Sequence, residues 1–184
     1  NPYGHLVTCD VTATQLSIAG GATIRFVPGA GLTTNGEFKV LGSTAEVLMT
    51  SEQPTGRWDG LTVNESAGKK MAIEGLVVER SSGHGLMSTA EGLSIKNSTF
   101  RDNVKNGLWG RYKQRYNNVA TDIVVSGSKF LDNGRAGVQL ESLKGSPSRW
   151  WLSGNEIAHN GTDGLLCWGE ERCLRPNNGF ATNK

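Results

Sequence analysis

Proline is scarce in this chain, at 5 of 184 residues. Disordered linkers are usually rich in proline and glycine together, so the scarcity argues for folded chain. No apolar run approaches the roughly 18 residues that a membrane-crossing helix needs, so direct membrane insertion is not expected. Charge is also sparse. Lys and Arg number 19 against 17 Asp and Glu, a net charge of +2, which is too small to point to nucleic acid. Three cysteines and three histidines are scattered without ligand spacing, so no metal site and no cofactor are expected. Cys167 and Cys173 bracket CWGEERC. They are expected either to form a local disulfide in an oxidising compartment or to stay reduced. The chain starts at Asn1 without a Met or a leader, and a mature or excised piece of a longer protein is expected.

Glycine is abundant, 25 of 184 against a usual share of about 7%. No three-residue period exists, which excludes a collagen-like chain. The glycines therefore sit at defined positions in a fold.

Four segments align over sixteen columns without a gap: 71–86, 93–108, 123–138 and 150–165. Column 1 holds Met71, Leu93, Ile123 and Trp150; column 3 holds Ile73, Ile95, Val125 and Leu152. Column 8 holds Val78, Phe100, Phe130 and Ile157; column 16 holds Leu86, Leu108, Val138 and Leu165. Column 15 is glycine throughout, at Gly85, Gly107, Gly137 and Gly164. Column 11 holds Ser81, Asn103, Asn133 and Asn160. All length variation falls after column 16.

Alternation of period two, as in Leu93-Ser94-Ile95, specifies strands. Short strands, frequent turns and a repeat of this length specify a β-solenoid. The expected fold is all-β, a right-handed parallel β-helix of roughly seven coils, forming one domain over 1–184. Coils would stack at about 4.8 Å. The apolar columns would then point inward, including a Phe100–Phe130 pair. Asn103, Asn133 and Asn160 would form a ladder satisfying turn carbonyls. The column-15 glycines would supply positive φ or a tight approach. In all, eight glycines precede Leu or Val at coil starts: Gly31, Gly60, Gly75, Gly85, Gly92, Gly107, Gly137 and Gly164. At the far end, FATNK is expected to open another coil, with Phe180 and Thr182 in columns 1 and 3. Cys9, at the opposite end, would not reach Cys167 or Cys173.

The order LSIAGGATIRFVPGAGLTTNGEFKVLGS, VLMTS, RWDGLTV, followed by N-S-x-F…N…GL units, resembles the extracellular right-handed parallel β-helix proteins of pectate-lyase-like fold. The opening NPYGHLVTCDVTA then LSIAGGATIRF is similar to the Bark beetle (Anakonda) type of β-helix module at tricellular junctions. The resemblance implies an extracellular or cell-surface location. It leaves function open, because such folds carry lyases, hydrolases, adhesins and stalks.

Two surface features carry the functional expectations. The segments after column 16 would leave one corner as a ridge holding Trp109, Arg111, Tyr112, Lys113, Arg115, Tyr116, Lys144, Arg149, Trp168, Arg172 and Arg175. Trp151, outward in column 2, would lie nearby. Aromatic and basic groups together suit a glycan or an extracellular protein partner; equally, they could pack loops onto the body. Column 10 holds Arg80, Asp102, Asp132 and His159. Stacked carboxylates of Asp102 and Asp132 about 5 Å apart could act as acid and nucleophile on a glycoside, or simply fill an exposed turn. The leading expectation is a non-catalytic module for adhesion or recognition. The alternative is a polysaccharide lyase or glycoside hydrolase, or a fragment of one, with calcium involved only for a lyase. Contacts with neighbouring domains or end-to-end copies are a further expectation. Of the sequons at Asn64, Asn97 and Asn160, Asn160 would be inaccessible in the ladder and Asn64 is the best acceptor.

Overall fold

In a computed structural model, the period-two segments become 20 short strands, with no helix among the described residues. The structure describes residues 4–64, 71–90, 92–112, 122–142, 149–168, 173–174, 178–181 and 183. At 122, 142, 149, 173, 174, 180 and 181 only the backbone is described. The chain is all-β, and neighbouring strands pair in parallel. One sheet has eight strands, from His5–Val7 through Leu76–Glu79 and Thr99–Arg101 to Gly179–Ala181. The other has twelve and is hinged at the long strand Gly31–Leu41. The first half of that strand pairs with Gly60–Val63, and its last residues pair with Met71–Glu74.

The pairing register follows the sequence columns. Phe100 lies opposite Val78 and Phe130. Leu93 lies opposite Met71, and Ile123 opposite Trp150. Column 16 extends back to Val11, Leu32 and Leu61 and forward to Leu165. Residues of columns 1, 3 and 8 are buried in all four copies. The Phe100 and Phe130 rings stack at 5.3 Å. Inward side chains follow from the pleat, and burying these stacks supplies most of the stabilisation.

The asparagine ladder forms as expected. Asn103 Nδ2 donates to Asn133 Oδ1 at 2.9 Å, and Asn133 Nδ2 donates to Asn160 Oδ1 at 3.0 Å. Asn133 Nδ2 also donates to the Phe100 carbonyl at 3.0 Å. The ladder continues at Asn183, which accepts from Asn160 Nδ2. A second ladder runs in column 6. Ser98 N–H donates to Ser128 Oγ, Ser128 N–H to Asn155 Oδ1, and Asn155 N–H to Asn178 Oδ1.

These ladders correct the reading of the chain's last residues. Phe180 pairs with Ile157 and so stands in column 8, not column 1, while Cys173 takes column 1 opposite Trp150. The fifth copy starts at Cys173 and lacks the apolar column-3 residue, which is Arg175. That loss hid its register in the sequence.

Each ladder follows a column of left-handed backbone. Gly75, Asn97, Gly127 and Gly154 have φ between 48° and 65°; Arg80, Asp102, Asp132 and His159 have φ between 51° and 58°. A single left-handed residue turns the chain between strands and presents the next side chain inward. The column-15 glycines serve the other expected role, close approach. A Cβ on Gly107 would sit 2.7 Å from the Gly137 carbonyl and 3.0 Å from Asn133 Nδ2.

Candidate functional site

On the strand Leu108–Tyr112, residues 108, 110 and 112 point inward and 109 and 111 point outward. Register then assembles an outer face from three neighbouring strands. Trp109 lies opposite Gln139, which lies opposite Leu166; Arg111 lies opposite Glu141, which lies opposite Trp168. Trp109 and Trp168 are thus two strands and two residues apart, roughly 12 Å between backbones.

Polar groups bind this face together. Asn106 Nδ2 donates to Gln139 Oε1 at 2.7 Å, and Gln139 Nε2 donates to Glu141 Oε1 at 2.6 Å. Arg111 Nε lies 3.8 Å from Glu141 Oε2. The Trp109 ring rests on the His84 ring, with centroids 4.7 Å apart. Trp168 is 56% exposed and Trp151 is 40% exposed. Two neighbouring alternating strands with carboxamide, carboxylate and guanidinium already oriented offer a polar surface with aromatic platforms.

His84 is mostly buried. Burial first, then the charges of Lys105 and Arg135, lower its pKa to about 4. Its ring is therefore neutral, and Nδ1 accepts from the Asn106 N–H at 3.4 Å.

No family model, curated protein or solved structure matches this chain.

The structure redistributes the expected ridge. Trp109, Arg111 and Trp168 share the outer face. Tyr112 does not belong to it: at 2% exposure it is a core residue, with its ring centroid 6.1 Å from that of Trp150. Burial pushes the Tyr112 pKa up, partly opposed by Ser88. The cause is alternation continuing past column 16, which turns Tyr112 inward beside Gly110. Trp151 lies on a different run of strands, opposite Val124 and Leu174. Lys113, Arg115, Tyr116, Lys144, Arg172 and Arg175 lie outside the described residues, as does the Arg149 side chain.

Column 10 is exposed at Asp102, Asp132 and His159 and half-buried at Arg80. Arg57 donates to the Asp102 carboxylate at 2.9 Å and to its carbonyl at 2.6 Å. Asp132 Oδ1 lies 3.8 Å from His159 Nδ1. Arg80 donates to Thr50 Oγ1 at 2.7 Å and to the Ser51 and Pro54 carbonyls. Asp102 and Asp132 are neighbours in register, but each side chain is more than half exposed and each has a cationic or imidazole neighbour. Among the described residues no three His, Cys, Asp or Glu side chains converge as metal ligands. Cys9 is exposed and free.

Gln139, Glu141, Leu166 and His84 were missed in the sequence. Carrying the alternation three columns past column 16 finds the first three. His84 joins only through the packing of the turn against Trp109.

Proposed function

We propose that this chain is an extracellular or cell-surface right-handed parallel β-helix module of roughly seven coils. It is non-catalytic and recognises a glycan on the outer face holding Trp109 and Trp168. The six parallel pairings that link the seven residues of column 16, from Val11 to Leu165, support the coil count. Parallel strands joined by crossovers are right-handed in nearly all proteins. A Cys167–Cys173 disulfide belongs to the same reading.

The observation that carries the recognition role is the shared face. Two tryptophans flank a row in which Gln139 is hydrogen-bonded to Glu141 and Arg111 lies 3.8 Å from the Glu141 carboxylate. Sugar rings stack their C–H faces on indoles and exchange hydroxyl hydrogen bonds with such groups. The exposed Asp102–Asp132 column is a weaker basis for catalysis, because Arg57 already holds Asp102.

Glycan-array binding by the parent and by Trp168→Ala tests the reading, alongside pull-down of protein partners. Loss of glycan binding in the variant, with unchanged thermal unfolding, is expected. Variant binding equal to the parent on every glycan sinks it. Turnover of a uronic-acid or neutral polysaccharide, with or without Ca²⁺, that Asp132→Asn abolishes would replace it with an enzyme.

A further inference from the structure

Column 13 places two cations on successive copies, Lys105 and Arg135. Their backbones form one continuous stack. Lys105 N–H donates to the Gly83 carbonyl at 2.9 Å, Arg135 N–H to the Lys105 carbonyl at 3.1 Å, and Thr162 N–H to the Arg135 carbonyl at 3.3 Å. Successive segments of such a stack lie about 4.8 Å apart. Both side chains are exposed.

Most other described basic residues of the surface have carboxylates beside them, Arg25 and Lys96 excepted. Arg57 has Asp102, Arg80 and Arg101 have Glu79, Arg111 has Glu141, and Lys129 has Glu156. Among the described residues Lys105 and Arg135 have none. Like charges on neighbouring strands repel, so the pair is a local excess of positive charge on a chain of net charge +2. Its position is specific. Lys105 N–H meets the carbonyl of Gly83, the chain neighbour of His84, and the His84 ring carries Trp109; both charges also lower the His84 pKa. The aromatic face is therefore edged by Lys105 and Arg135 on the turn side and by Arg111 farther along the strand.

We propose that Lys105 and Arg135 together bind an anionic substituent, carboxylate or sulfate, of the glycan on the Trp109–Trp168 face, so that the ligand is an acidic polysaccharide. This rests on the reading of that face as a glycan site. The guanidinium fork of Arg135 matches either oxyanion in two-point fashion, and the Lys105 ammonium adds a point charge.

The test measures binding of the whole chain to heparin, to polygalacturonate and to neutral xyloglucan. The proteins are the parent, Lys105→Gln/Arg135→Gln and Trp168→Ala, each with a thermal melt to show folding. The parent is expected to prefer one or both acidic polymers, and the two arms separate sulfate from carboxylate. The double variant is expected to lose about tenfold or more on the preferred acidic polymer, with a shallower salt dependence, and to keep any xyloglucan binding. Trp168→Ala is expected to weaken every glycan. Unchanged acidic binding in the double variant, or equal binding to xyloglucan by the parent, overturns the anion pair while leaving the face intact. Binding to no glycan by the parent overturns both readings. Poly-glutamate binding as tight as that of the acidic glycans overturns the glycan identity.

Discussion

Gly110 and Tyr112 occupy one space. A Cβ on Gly110 would lie 2.8 Å from Tyr112 Cε2 and from its hydroxyl, and 2.8 Å from Leu140 Cδ2. The absent side chain lets the ring lie back inside the sheet against Trp150. Gly110→Ala is expected to destabilise by about 1–3 kcal/mol through overpacking. Urea unfolding measures this, and a midpoint equal to the parent's would show that the ring has room elsewhere.

The Asn133 side chain makes four ladder contacts. It donates to Phe100 O and Asn160 Oδ1 and accepts from Asn103 N and Nδ2. Asn133→Ala leaves buried partners unpaired, each at about 1–3 kcal/mol. A total loss of about 2–4 kcal/mol is expected, because the neighbours relax in part. Asn97→Gly, at an exposed left-handed turn, is the control and should shift stability by less than about 0.5 kcal/mol. Equal effects in the two variants would deny the ladder its role.

Column 10 separates strain from anchoring. His159 pays for a left-handed conformation with only a weak contact to Asp132. His159→Gly is expected to stabilise by up to about 1 kcal/mol. Arg80→Gly removes the same strain but releases the 50–54 segment, and a net loss of about 1–2 kcal/mol is expected. Thermal melts of both variants check the opposite signs.

His84 ties stability to pH. Its folded pKa of about 4 lies below the 6.5 of an ordinary imidazole, so the unfolded chain binds the extra proton first. Its contribution is full above about 6.5 and is lost as pH falls towards 4. After solvent screening of this partly exposed ring, the loss is about 1–2 kcal/mol. His84→Gln should flatten that part of the stability–pH curve. A variant curve parallel to the parent's would assign the slope to other groups.

The cysteines make a direct count. Native, unreduced protein is expected to take one maleimide, at Cys9, and three after denaturation and reduction. Mass spectrometry reads the number, and three native labels would exclude the Cys167–Cys173 bond.

The repeat columns alone were enough to place Phe100 on Phe130, to line up Asn103, Asn133 and Asn160, and to bury Met71, Leu93, Ile123 and Trp150. Periodicity is local, and parallel register turns a column into a contact. Side-chain direction beyond the aligned block was not legible. Tyr112 read as surface because its aromatic and basic neighbours suggested a ridge, whereas the alternation of its strand and the missing Cβ of Gly110 turned it inward. Arg57 meeting Asp102 was equally hidden, since the two lie far apart in sequence and in different columns. Sequence determined which residues share a column, because spacing follows backbone geometry. Tertiary structure alone decided which polar groups pair and which charges stay unpaired, because those depend on how turns from different copies pack together.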